Sequence, residues 1–240
     1  MSRGYRLSGA SVRYGSHLAL SVDALDLSPG ELTVIVGPNG AGKSTLVALL
    51  AGLRRYGGIC ELDGRPLRAW TRTELSRAAA FVPQSVDLQF PFTAYEVALM
   101  GRAPHADRLF ESPADHAHVE QSMRETGTFE LRDRDFRTLS GGEKQRVVLA
   151  AALAQSAPVL LLDEPAAHLD PKYQLAVYSL LAARAKSGAL VAAVTHDLRL
   201  SRRFATRTIA LRAGRIDAWD LDPSTFARVF DVDPEPWLGA

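Results

Sequence analysis

Leu32–Val36 is a short apolar, β-branched run that leads without a break into Gly37-Pro38-Asn39-Gly40-Ala41-Gly42-Lys43-Ser44-Thr45. The spacing fits the phosphate loop G-x-x-x-x-G-K-[ST], whose glycines let backbone N–H groups surround a polyphosphate while the lysine reaches the outer phosphates. The turn Ser28-Pro29-Gly30-Glu31 precedes the run, and Lys43–Ala51 reads as a helix ending near Gly52. Strand, loop, helix is the setting this motif requires. It restricts the chain to α/β architectures with an anion-binding edge where the strand ends.

Two further apolar runs support that restriction. Val159–Leu162 ends in Asp163-Glu164, and 190–195 ends in His196-Asp197. Short strands that are apolar throughout belong to a parallel sheet covered on both faces, with polar function at the carboxyl ends. Stretches 11–26 and 59–63 predict a smaller antiparallel sheet near the N-terminus. From about Asp87 to Gln155 the pattern turns helical, with capping boxes at Thr93-x-x-Glu96 and Ser140-x-x-Glu143 and a loop around Gly101–His105. The expected organisation is one domain over 1–240: an α/β core from 1–86 and 156–240, interrupted by a helical subdomain over 87–155. No internal repeat or low-complexity tract is evident.

Composition narrows the function classes. The chain has 28 Lys+Arg against 27 Asp+Glu, a net charge of +1, so no global charge points to nucleic acid or to an anionic membrane surface. Cys60 is the sole cysteine, which excludes an internal disulfide or a cysteine-rich metal site and predicts a buried structural thiol. The longest apolar runs, such as 147–154 and 189–194, are far shorter than a membrane-spanning helix needs. Arg3 and Arg6 are followed by no apolar stretch of the secretory kind.

The motifs divide the chemistry. Lys43 is placed to neutralise β- and γ-phosphate charge, and the Ser44 hydroxyl to help hold Mg²⁺. Asp163 and Glu164 are adjacent at a strand end, so their side chains diverge and take different tasks. Asp163 serves the metal or a bound water, and Glu164 faces an attacking water as the candidate base. His196 is the candidate sensor of the γ-phosphate. Gln84, after Phe81-Val82-Pro83, carries little meaning in isolation. Ser140 is placed to cap a helix that begins at Gly141, which leaves glycine amides and the positive helix end facing an anion.

Taken in order, these residues resemble the ATP-binding cassette ATPases over essentially the whole chain. Residues 37–45 correspond to the Walker A motif, 159–164 to Walker B, Gln84 to the Q-loop, Leu139–Glu143 to the signature, Ala167-His168-Leu169-Asp170 to the D-loop, and His196 to the switch histidine. The resemblance implies a phosphate-loop (RecA-like) NTPase core with a small N-terminal antiparallel β subdomain and an inserted α-helical subdomain. It implies that Tyr14 stacks on adenine, that Gln84 joins Ser44 and Asp163 around Mg²⁺, and that Asp170 belongs to the nucleotide site. It further implies a head-to-tail homodimer in which Ser140, Gly141 and Gly142 of one chain close on ATP held by the other. Two positions depart from the pattern: Ala166 stands where threonine is frequent, and His168 where a small residue is usual.

The resemblance extends to one branch. No coiled-coil or zinc insertion of the repair type separates the motifs, and there is one cassette, which favours a transport motor with no nucleic-acid partner. Phe90-Pro91-Phe92-Thr93, Glu96-Val97 and Met100-Gly101-Arg102-Ala103-Pro104-His105 look like the segment after the Q-loop in importers of iron–siderophore complexes, haem and cobalamin. Asp222-Pro223 likewise resembles the ends of those ATPases, with Asp222 capping a helix whose first residue is proline. Such a subunit implies a membrane permease, a periplasmic or lipoprotein substrate-binding protein, and a peripheral position on the cytoplasmic face of the inner membrane. The rivals are an ATPase for another cargo or for export, and a soluble assembly ATPase. His116 and His118, two apart on a helix, are expected to be solvated rather than metal-binding.

Overall fold

The computed structural model describes residues 4–106, 111–220 and 222–231. Arg3, used in the N-terminal reading, lies outside them. Six strands form the main sheet in the order β10-β9-β3-β8-β7-β6. These are β3 (Leu32–Val36), β6 (Ala79–Val82), β7 (Val159–Asp163), β8 (Leu190–Val194), β9 (Arg207–Arg212) and β10 (Arg215–Ala218). All neighbouring pairs are parallel except β10 against β9. The second sheet is antiparallel, in the order β2-β1-β4-β5, from β1 (Tyr5–Tyr14), β2 (His17–Leu27), β4 (Gly57–Leu62) and β5 (Arg65–Pro66).

The uniformly apolar strands have a direct cause. In β3, alternate residues Leu32, Val34 and Val36 enter one hydrophobic core and Ile35 enters the other, so both faces must be apolar. Helix α1 (Lys43–Leu50) lies between the two sheets and buries Leu46, Val47, Leu49 and Leu50 in the second core. The antiparallel sheet closes that core with Tyr5, Leu7, Val22 and Leu62. The smaller sheet begins earlier than the 11–26 stretch suggests. Its β1 runs from Tyr5 and turns back on β2 through Gly15-Ser16, with Tyr14 opposite His17. Cys60 is buried in this sheet, and burial pushes its thiol up to about 12.

The helical part comprises α3 (Ala94–Leu99), α4 (Pro113–Glu125) and α5 (Gly141–Ala154), with a 3₁₀ turn over Met100–His105. Thr93, Ser112 and Ser140 each close a capping box at its helix. Gly101 sits so close to α5 that an added Cβ would lie 1.9 Å from the Ala151 carbonyl oxygen. Glycine is therefore what lets this turn seat against α5. After β6 comes the loop holding Gln84, and α6 (Pro171–Lys186), α7 (Leu198–Phe204) and α8 (Pro223–Phe230) complete the chain. Asp222 caps α8 through the Thr225 amide at 2.8 Å, with Pro223 at the first helical position.

Candidate functional site

The carboxyl ends of β3, β6, β7 and β8 converge on one concavity of about 510 Å³. Asn39, Gly40, Ala41, Gly42, Lys43, Ser44 and Thr45 form one wall, and Gln84, Glu164 and His196 the other. Helix α1 opens on Gly42 in a left-handed conformation with no side-chain cap. Its first amides are thus left for an external acceptor, unlike those of the capped helices in the helical part. Gly37 and Pro38 lead into this loop, and their carbonyls accept from Lys43 Nζ at 2.8 and 2.9 Å. Lys43 is 6% exposed. Burial lowers its pKa, opposed by the charges of Glu164 and Asp163.

Asp163 ends β7 facing the loop, with its Oδ1 accepting from Ser44 Oγ at 3.1 Å. Burial raises its pKa, partly offset by that hydrogen bond. Ser44 and Asp163 offer only oxygen donors and few of them. That donor set suits a hard cation such as Mg²⁺, which keeps several waters and substrate phosphate oxygens as ligands. Among the described residues no cluster of three or more His, Cys, Asp or Glu forms a self-contained metal site. Glu164 adopts a left-handed backbone with φ 55, uncommon outside glycine, and its Oε1 lies 2.6 Å from His196 Nε2. Its amide donates to the Val194 carbonyl at 3.2 Å, tying the end of β7 to that of β8. Glu164 and His196 also line a side cavity of about 150 Å³ with Thr195 and Asp197.

The signature residues lie elsewhere. Ser140, Gly141 and Gly142 line a separate concavity of about 420 Å³ with Arg146, His168, Asp170 and Tyr173. Ser140 Oγ accepts from the Glu143 amide, and Glu143 Oε2 accepts from the Ser140 amide at 2.8 Å. That bond to the Ser140 amide holds the Glu143 carboxyl below its ordinary range. The Gly141 and Gly142 amides stay outside this box. Gly142 is pressed by the D-loop: an added Cβ would lie 3.0 Å from Leu169 Cδ2 and 3.2 Å from the His168 carbonyl oxygen. His168 is exposed with φ 59, whereas Ala166 is buried in the core. Asp170 stands at the N-cap of α6 without bonding its amides. Within one chain the phosphate loop and the signature share no lining residue.

Tyr14 is not part of the lining of the phosphate-loop concavity. The residue is 46% exposed, with the Arg54 guanidinium 5.4 Å from the centroid of its ring. His116 is exposed as expected yet not merely solvated: Nδ1 lies 2.6 Å from Tyr95 Oη and the two rings are nearly parallel. Two contributions escape sequence reasoning. Ala19 of β2 backs the loop, and its carbonyl would lie 2.8 Å from a Cβ at Gly42. A backbone contact of this kind leaves no residue-type signal. Arg146, nine-tenths buried over Tyr173 at 4.0 Å, does leave one, since it is a charge directly before the apolar run 147–154.

An uncapped helix behind a glycine loop, a buried lysine, a Ser–Asp oxygen pair and a Glu–His pair define a phosphate-loop nucleotide hydrolase. The model of the family described as ABC transporter matches residues 20–167. The hemin import ATP-binding protein HmuV of Streptomyces coelicolor is 43% identical over 97% of this chain and 86% of its own length. A solved inward-facing conformation of a metal-chelate type ABC transporter superposes with a TM-score of 0.82 at 25% identity, covering 97% of this chain and 90% of that one. The dimeric post-hydrolysis ATP-binding cassette MJ0796, bound to ADP and Pi, gives 0.80 at 27% identity, covering 90% and 97%. The chain belongs to the ABC transporter family and is an ATP-binding, ATP-hydrolysing transport subunit.

Proposed function

We propose that this chain is the energy-coupling ATPase of a bacterial importer of metal chelates, with haem as the cargo. The observation that carries the reading is the 43% identity to a hemin import ATP-binding protein over nearly the whole chain. The likeness to a metal-chelate type transporter supports it. In this reading the chain works as a head-to-tail homodimer on the cytoplasmic face of the inner membrane, docked on permease subunits and served by a substrate-binding protein. The cargo passes through the permease, and this chain handles ATP and Mg²⁺. No described helix is long and apolar enough to cross a membrane.

In this reading each residue has a distinct task. The α1 amides and Lys43 hold the β- and γ-phosphates, and Tyr14 offers its exposed ring to adenine. Ser44 and Asp163, joined by Gln84, would hold Mg²⁺, which would supply neutralisation of phosphate charge during transfer of the γ-phosphoryl group to water. Glu164 takes the proton of the attacking water, and His196 orients the Glu164 carboxylate and contacts the γ-phosphate. Ser140, Gly141 and Gly142, with Asp170, complete the site on the partner's ATP. Segment 84–105 receives the cytoplasmic element of the permease.

Proteoliposomes holding the chain with its permease and binding protein test the cargo. Haem uptake that depends on ATP is expected. Uptake of ferric siderophore or cobalamin instead, or of none of the three, overturns the haem reading. Glu164→Gln should lower hydrolysis by about 10²-fold or more while leaving ATP binding intact. Undiminished turnover would remove Glu164 from the role of base.

A further inference from the structure

Arg54, Arg55 and Arg68 line a concavity of about 370 Å³ with Gly52, Tyr56 and Leu67, none of which lines the phosphate-loop concavity. The Arg68 guanidinium lies 4.3 Å from the centroid of the Tyr56 ring and donates to the Tyr56 carbonyl. Among the described residues no carboxylate pairs with any of these three arginines, whereas Arg65, Arg102 and Arg184 pair with Glu74, Asp115 and Glu125. In a chain of net charge +1 this is a local excess of positive charge held in a hollow. Like charges focused by low-dielectric walls create a potential that an anionic ligand relieves. Leu53, between Gly52 and Arg54 in the sequence, is about half accessible, so an apolar side chain is exposed beside the basic ones.

The hollow connects to the segment assigned to the permease. Gly52, at its edge, abuts α2 (Arg72–Ala78): an added Cβ would lie 2.5 Å from Leu75 Cδ2. From the same helix Arg77 Nε donates to the Pro104 carbonyl at 2.6 Å. Through α2 the edge of the hollow is linked to the 100–105 turn. A concave site walled by Tyr56 and Leu67 fits a protruding peptide better than a flat bilayer surface.

We infer that the Arg54, Arg55 and Arg68 hollow is a docking point for a carboxylate-bearing cytoplasmic segment of the permease. The inference rests on the transport reading above. Charge complementarity at such a point steers encounter and fixes orientation, and it weakens with salt. Arg54 also lies over Tyr14, so Arg55 and Arg68 are the positions to alter.

The full chain carrying Arg55→Glu and Arg68→Glu is compared with wild type for binding to its co-expressed permease in phosphatidylcholine nanodiscs. At about 0.1 M NaCl the double variant should bind roughly tenfold more weakly, and wild-type binding should fall towards the variant's level as salt is raised. The Arg55→Lys, Arg68→Lys chain should keep most of the binding. Basal ATPase activity of the free chain should not change, which shows that the variants are folded. Equal permease binding by the Glu variant and wild type overturns the docking point alone. Loss confined to vesicles containing ~30% phosphatidylglycerol, with permease binding unchanged, assigns the hollow to the lipid surface and also overturns it. A wild-type chain that binds no permease overturns both this inference and the transport reading.

Discussion

At the residue scale, the glycines of the phosphate loop answer to two demands, one chemical and one steric. Gly37 has φ 145, and a Cβ there would lie 2.1 Å from the carbonyl oxygen of Leu211 in β9. Strain in this backbone region and a clash with a neighbouring strand add, so Gly37→Ala should destabilise the fold by about 2–4 kcal/mol. Urea unfolding measures this, and a midpoint equal to wild type would contradict it. The phosphate-loop pattern announces these glycines from the sequence. What it does not reveal is that β9 and β2 crowd them, since Leu211 and Ala19 act through their carbonyls and any residue type supplies one. The positions of Asp163, Glu164 and His196 were legible because they follow short apolar runs, which form the buried strands β7 and β8. The 2.6 Å contact joining Glu164 to His196 was not, because it depends on β7 and β8 being neighbours.

At the scale of elements, helix ends were the most readable features of the helical part. The boxes at Thr93 and Ser140 form as their spacing predicts, because an N-cap hydroxyl and an acid three residues on satisfy otherwise orphaned amides. A third box, Ser112 with Asp115, passed unread within the helical pattern, although proline follows the serine. Asp115 also accepts from Arg102 Nε at 2.7 Å, and Arg102 donates to the Ala154 carbonyl at 2.8 Å. One carboxylate thus pins α4 through Arg102 to the end of α5. Its bonds from Ser112, and then from Arg102, hold the Asp115 carboxyl well below its ordinary value. A carboxylate depressed in the folded state stabilises the fold above its unfolded value, near pH 4, and this is lost as pH falls through the folded value. Asp115→Asn should therefore lower the urea midpoint at pH 7 and narrow the gap between midpoints at neutral pH and at about pH 2. Parallel losses at both pH values would show that the charge of Asp115 contributes nothing.

At the scale of the molecule, the account turns on a separation. The phosphate loop and the signature occupy two concavities with no common lining residue, and the D-loop packs on the signature. The signature concavity is built where α5 meets the D-loop and α6, and the other where the phosphate loop meets the carboxyl ends of the sheet, an arrangement that supports the proposed completion of each site by a second copy. The solved relative MJ0796 is a dimer, in accord with a site shared between two chains. Sequence order alone placed both motifs, but their distribution over separate faces required the packing of α5 and the D-loop. The most direct measurement is sedimentation of the Glu164→Gln chain with ATP and Mg²⁺, with and without a further Ser140→Arg replacement. The Glu164→Gln chain should sediment as an ATP-dependent dimer, and the double variant should still bind ATP yet remain a monomer. A double variant that dimerises with ATP as readily as Glu164→Gln would contradict a site built from two chains.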